Sequence, residues 1–158
     1  MYNEVSLGGT MKKGFTLIEL LIVMVILGIL VTVALPKYRA SLERGRAMEG
    51  ITNLRAASDA MNAKYIMNEN SYTNVTENDL AIGNLAKSRS FTTPVLGAVE
   101  AASAEVYVCR GDDANPEYTL TAVNKEGELK YITCTGDAEL CQAIGAESVD
   151  GSYMFDFR

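Results

Sequence analysis

With 158 residues, 48% of them hydrophobic, and a net charge of −6, the chain has room for one membrane-spanning segment and one small domain, and is too short for a large enzyme. Residues 1–14 contribute +1 and everything after Gly14 carries −7, which argues against the basic surface that nucleic acid requires. There is no His and no Trp, and no pair of titratable groups at a spacing suited to acid/base work, so no catalytic, cofactor-binding or metal site is expected.

Residues 1–14 form a short polar leader that ends Lys12-Lys13-Gly14, and Met11 serves equally well as a start. From Phe15 to Leu35, 17 of 21 residues are large apolar or Ala, and a transmembrane helix needs roughly 20. An ordinary secretory signal fits poorly: its apolar block is about 7–15 residues long, whereas this one contains Glu19 and runs into Pro36. After Leu35 the apolarity becomes periodic. Ala47, Ile51, Leu54, Ser58, Met61 and Tyr65 recur at steps of four and three, one stripe of a helix that packs a single face on protein. The spacing predicts one long helix over residues 15–68, kinked at Pro36 and softened by Gly45 and Gly50.

Residues 68–76 are dense in turn formers and end that helix. Residues 69–104 read as a long connection with a short Asp79-Leu80-Ala81-Ile82 piece and one strand near Phe91. Strand signals rich in Val, Ile, Tyr and Thr follow at 105–110, 118–124 and 129–135, most simply an antiparallel meander. The alternating tail Tyr153-Met154-Phe155-Asp156-Phe157 suggests a last strand or a docked extended segment. The expected architecture is α+β: a long N-terminal helix packed on a small antiparallel sheet within residues 105–158.

Three cysteines, Cys109, Cys134 and Cys141, lie in the C-terminal third. With no CxxC and no His, a zinc site lacks its ligands. Cys109 and Cys134 fall on the first and third strands of the meander, about 9–10 Å apart at two strand spacings, beyond the reach of a disulfide. Cys134 and Cys141 are the expected pair, with Cys109–Cys141 second and three reduced thiols as the alternative. Two weaker signals are the Asp- and Asn-rich turn 111–115, which is an ordinary turn before it is a calcium loop, and the sequon Asn74-Val75-Thr76, read as chance.

The run Lys12-Lys13-Gly14-Phe15-Thr16-Leu17-Ile18-Glu19-Leu20, with Pro36 beyond it, resembles the class III signal of type IV prepilins and the related pseudopilins. Past residue 36 the resemblance is one of architecture. It implies that a prepilin peptidase/N-methyltransferase cuts between Gly14 and Phe15 and methylates the new amine. A Gly at that place leaves an extended backbone open to a protease. It also implies assembly roles for Glu19, Thr16 and Pro36, and as partners further copies of the chain, the assembly platform of the inner membrane, and the bilayer before assembly. Glu19 lies about 6 Å from Phe15 along a helix. A carboxylate at mid-bilayer costs about 2.5–3.5 kcal/mol, and inside a fibre it needs a positive partner, which the family supplies as the amine of Phe15. The plain alternative for Glu19 is a helix-dipole contact.

The implied function is a structural subunit, not an enzyme, of a surface filament used in adhesion, motility or DNA uptake, with the C-terminal domain outside the inner membrane. A count of flanking cations, two before the span and four after it (Lys37, Arg39, Arg44, Arg46), opposes that orientation. The alternatives are a type II secretion pseudopilin, whose family generally lacks a C-terminal cysteine pair, and a membrane-anchored binding module that never polymerises.

Overall fold

The computed structural model describes residues 14–80, 88 and 90–155. The leader before Gly14, Ala81 and Ile82, and Asp156 and Phe157 of the tail lie outside the described residues. The chain forms two compact units, Met1–Lys37 and Tyr38–Arg158.

Helix α1 runs Leu17–Met67 with Pro36 inside it. Its stripe Ala47, Ile51, Leu54, Ser58, Met61 and Tyr65 is buried, as its spacing predicts, together with Glu43, Gly50, Asn53 and Ala57. Gly50 also has a packing role: a Cβ there would stand 3.0 Å from the Phe91 ring, so the missing side chain lets Phe91 lie against the helix. The helix stops where Asn70 N–H donates to the Tyr65 carbonyl at 3.0 Å, with Glu69 and Asn70 at positive φ (55° and 60°). A 3₁₀ turn at Glu77–Leu80 follows. Lys64 Nζ sits 2.9 Å from Asp79 of that turn. The hydrogen bonds from Lys64 and from the Thr76 hydroxyl and N–H hold the Asp79 carboxyl down at about 2.

The sheet has six strands: β1 (Val95–Val99), β2 (Ser103–Asp112), β3 (Asn115–Lys125), β4 (Glu128–Gly136), β5 (Glu147–Val149) and β6 (Ser152–Phe155), in spatial order β1-β2-β3-β4-β6-β5 and antiparallel throughout. Strands β2 to β4 are the expected meander, each longer than its sequence signal. Alternate residues of these strands (Ala104, Val106, Val108; Tyr118, Leu120, Ala122; Ile132, Cys134) are buried and share one core with Leu54, Ala57 and Met61 of α1, the period-2 face of a half-buried sheet. The strand expected near Phe91 begins four residues later, at Val95, while Phe91 makes an isolated bridge to Arg110. The tail is a strand, β6, paired to β4 at Ile132↔Phe155, Thr133↔Met154 and Cys134↔Tyr153.

Two elements were not expected. Helix α2 (Ala138–Ala143) begins at Asp137, whose side chain accepts from the N–H groups of Glu139 and Leu140, an N-cap. Strand β5 pairs with β6 through Asp150-Gly151, both at positive φ (48° and 82°), the favoured dipeptide of a type I′ hairpin. The β3–β4 hairpin has the same geometry with a poorer residue, Glu126 at φ 54° before Gly127 at 80°. A left-handed conformation costs an L-residue with a long side chain about 1–2 kcal/mol, and Asn tolerates it. Glu126→Asn is therefore expected to stabilise the Tyr38–Arg158 unit by about 0.5–1 kcal/mol, read as a higher urea midpoint at unchanged slope.

Candidate assembly site

At the N-terminal end, Gly14 and Phe15 precede the helix in exposed, irregular backbone. Nothing approaches within 4 Å of where a Cβ on Gly14 would lie, so packing does not require glycine there. Thr16 is the N-cap. Its hydroxyl oxygen accepts from Glu19 N–H at 3.3 Å, and Glu19 Oε2 accepts from Thr16 N–H at 2.8 Å and from the Thr16 hydroxyl at 2.9 Å. This is a reciprocal capping box, T-x-x-E. It uses one carboxylate oxygen of Glu19, and the helix-end role weighed as the plain alternative is present in the chain.

The apolar run that follows has no cover from its own chain. Every large apolar side chain from Phe15 to Leu35 is at least 46% exposed, and the most apolar 18-residue window has a mean hydropathy of 2.9 and no buried residue. A soluble protein does not leave so large a contiguous apolar surface in water. Its length and composition fit a bilayer span, and its all-round apolarity also fits burial among other helices.

In the Tyr38–Arg158 unit, a group that the sequence analysis missed fastens α1 to the sheet. Glu43 is 8% exposed. Its Oε1 accepts from Arg110 Nε at 2.7 Å and from the Tyr118 hydroxyl at 3.1 Å, and its Oε2 accepts from Arg46 Nη1 at 3.0 Å. Burial pushes the Glu43 carboxyl up. The hydrogen bonds from Arg110 and Arg46, the Arg110 charge and the Tyr118 hydroxyl outweigh it and hold the group below its ordinary 4.5. The same contact raises Arg110, and burial followed by the Glu43 charge raises Tyr118. The signal was legible: Glu43 lies four residues before Ala47, a charge on the apolar stripe.

A second tie is neutral. Tyr72 donates its hydroxyl to Asn62 Oδ1 at 2.7 Å, Asn62 Nδ2 donates to Asn124 Oδ1 at 3.3 Å, and Asn124 Nδ2 donates to Ser58 Oγ at 3.2 Å. Gly127 N–H reaches the Tyr72 oxygen at 3.0 Å. Helix, connection and β3–β4 hairpin are thus registered by a continuous polar chain, and no buried side-chain polar atom lacks a partner among the described residues.

Cys134 of β4 and Cys141 of α2 are joined, with Cα atoms 5.8 Å apart, the expected pair. Cys109 is buried and unbridged, its sulfur 3.5 Å from the Thr119 hydroxyl. The disulfide closes a short loop at sequence separation 7, for which loop-closure entropy gives about 2–3 kcal/mol. Cys134→Ala with Cys141→Ala is expected to lower unfolding stability by that amount, measured by denaturant titration of the full chain in detergent against the oxidised parent. The 111–115 turn is an ordinary hairpin connection, with Ala114 N–H on Asp112 Oδ1 at 3.4 Å, and no group of metal-binding side chains occurs among the described residues.

Residues 9–35 match the family model of the prokaryotic N-terminal methylation motif. The chain is 31% identical over 125 residues to a fimbrial protein of Neisseria meningitidis, covering 78% of this chain and 73% of that protein. It is 26% identical over 156 residues to a type IV major pilin of Neisseria gonorrhoeae, covering 92% of each, and 28% identical over 134 residues to fimbrial protein Q of Moraxella bovis, covering 78% of this chain and 85% of that one. No solved structure matches the chain. The methylation motif at one end, the long helix on an antiparallel sheet, and relatedness across most of the length together place the chain in the type IV pilin family.

Proposed function

We propose that the chain is a prepilin, cut between Gly14 and Phe15 by a prepilin peptidase that methylates the new amine, held in the inner membrane by residues 15–35 with its C-terminal unit on the outer side, and polymerised through the same helix into a surface filament. The observation that carries the proposal is the 15–35 segment itself: apolar all round, unburied by its own chain, and bearing one carboxylate, Glu19, that a fibre interior has to neutralise. Phe15 supplies the neutralising amine, and Pro36 marks the end of the segment that enters the fibre. The relatives named as type IV pilins and the C-terminal disulfide favour a pilus over a secretion pseudopilus.

Mass spectrometry of the N-terminal peptide from the native host tests the processing step. A peptide that begins at Phe15 and carries one methyl group is expected. An N-terminus upstream of Gly14 in the mature protein overturns the proposal.

A further inference from the structure

Beyond the span, charge along α1 is unevenly distributed. Residues 37–46 hold Lys37, Arg39, Arg44 and Arg46 against one carboxylate, Glu43, and Glu43 is turned inward onto Arg110 and Tyr118. The outward charge of this segment is therefore wholly positive. Farther along the helix the outward charges alternate in sign, Glu49, Arg55, Asp59 and Lys64, and residues 68–158 carry six Lys/Arg against fifteen Asp/Glu, a net −9. The cations gather at one end of an otherwise acidic unit. That end is the one next to the span.

The apolar side chains of the segment follow the same logic. Tyr38 and Leu42 are four residues apart and continue to Gly45, one strip on a helix. Tyr38 is 66% exposed and Leu42 43%, and no side chain meets the strip at Gly45. Arg39 and Arg46 flank it on one side, and Arg44 on the other. Arg46 is engaged with Glu43. Arg39 and Arg44 are exposed and make no ion pair among the described residues. An exposed Tyr beside arginines, with a Leu between them, is the composition of a membrane–water interface.

We propose that Tyr38, Arg39, Leu42 and Arg44 form an interfacial belt that binds anionic phospholipid headgroups while the subunit is stored in the bilayer. The proposal rests on the reading of residues 15–35 as a span. Arg39 lies four residues past Leu35, about 6 Å along a helix, and Arg44 about 14 Å. A headgroup layer is about 5–8 Å thick on each side of the hydrocarbon, the long stem of Arg39 reaches several ångströms back towards it, and Arg44, whose guanidinium lies beside Gly145, acts through electrostatic attraction that extends about a further 8–10 Å. Each Lys or Arg near an anionic surface contributes about 1 kcal/mol, about fivefold in affinity. The belt also gives the four cations after the span, which oppose the proposed orientation by simple counting, a partner on the outer side. A second copy would meet them through its acidic sheet unit, but nothing in that contact restricts the cations to residues 37–46, next to the span, whereas a lipid surface does.

The chain has no Trp, so Tyr38→Trp is a unique fluorophore and Leu27→Trp a second one inside the span. Each full-length variant is reconstituted in vesicles of phosphatidylcholine and phosphatidylglycerol, with one lipid or the other carrying brominated acyl chains. The Trp at position 38 is expected to be quenched more by brominated phosphatidylglycerol, with a preference of about two- to fivefold. The preference is expected to fall to near unity in about 0.5 M NaCl, where the Debye length is about 4 Å, and in the Arg39→Gln/Arg44→Gln background. Equal quenching by the two lipids, or a preference that survives the loss of both arginines, overturns the belt. So does an unquenched Trp at position 38 when a benzophenone amino acid at the same position photocrosslinks to another copy of the chain. A quenched Trp at position 27 beside an unquenched one at 38 overturns the belt and leaves the span intact, whereas two unquenched fluorophores overturn the membrane reading beneath both.

Discussion

Glu43→Gln is expected to destabilise the Tyr38–Arg158 unit by about 2–3 kcal/mol. Breaking a buried ion pair from one side costs about 3–5 kcal/mol because the remaining charge is left uncompensated. The Glu43 and Arg110 side chains are 10% and 15% exposed, and residual water lowers that figure. Gln keeps one acceptor oxygen for three donors, Arg110, Arg46 and Tyr118, so the loss is electrostatic more than steric. A urea titration of the full chain measures it. Glu43→Met with Arg110→Met removes both charges and is expected to recover most of the loss, since an apolar replacement of a whole pair is often near neutral. Equal stability of Glu43→Gln and the parent removes Glu43 as the fastening point.

The same pair contributes to the acid sensitivity of the fold. Because the folded-state value of Glu43 is depressed below 4.5, its contribution is complete above that pH and is lost as pH falls through the lowered folded value. Asp79, held down from 3.8 to about 2, follows the same sign in a lower window. Arg110 keeps its charge throughout. Unfolding stability of the parent is expected to fall as pH drops below 4.5, and Glu43→Gln is expected to flatten the upper part of that slope.

At the other end of the helix, Glu19→Ala and Glu19→Gln are expected to abolish filaments alike while leaving the subunit in the membrane. The comparison is informative because of the capping box with Thr16. Gln at that position keeps the box and removes only the charge, whereas Ala removes both. If the charge pairs with the Phe15 amine of another copy inside a water-poor fibre, Gln fails as Ala does. Filament counts by electron microscopy beside membrane-fraction blots decide it. Filaments at parental number from Glu19→Gln would leave Glu19 with a helix-capping role only.

Much of this was written in local pattern. The α1 stripe was legible because period 3.6 emerges from a continuous apolar run at a definite place, and β2 to β4 because Val, Ile, Tyr and Thr cluster between turn residues. Strand spacing excluded Cys109–Cys134, and the six residues between Cys134 and Cys141 close a loop easily. What escaped was short or long-range. Helix α2 has six residues, too few for a periodic signature, and only the Asp137 cap announced it. Strand β5 has three residues, all exposed, with Asp150-Gly151 as its one cue. The Glu43–Arg110 contact spans 67 positions, and a charge on an apolar stripe points to a partner without saying which. At Gly50 the residue type signals a soft point in the helix, and the room it leaves for Phe91 is a contact across 41 positions that local pattern does not show.

The bond between Cys134 and Cys141 also governs how the unit yields to pulling. Tension at the C-terminal end peels β5 and β6 from β4 through three residue pairs, draws Ile144 and Ala146 out of the core, and then meets a covalent stop at Cys141. The six residues inside the ring, about 20 Å of contour length, stay shielded from the load, and force passes directly into β4 at the centre of the sheet. A subunit fastened in this way gives up the edge of its core together with its outer hairpin and keeps β2 to β4 joined.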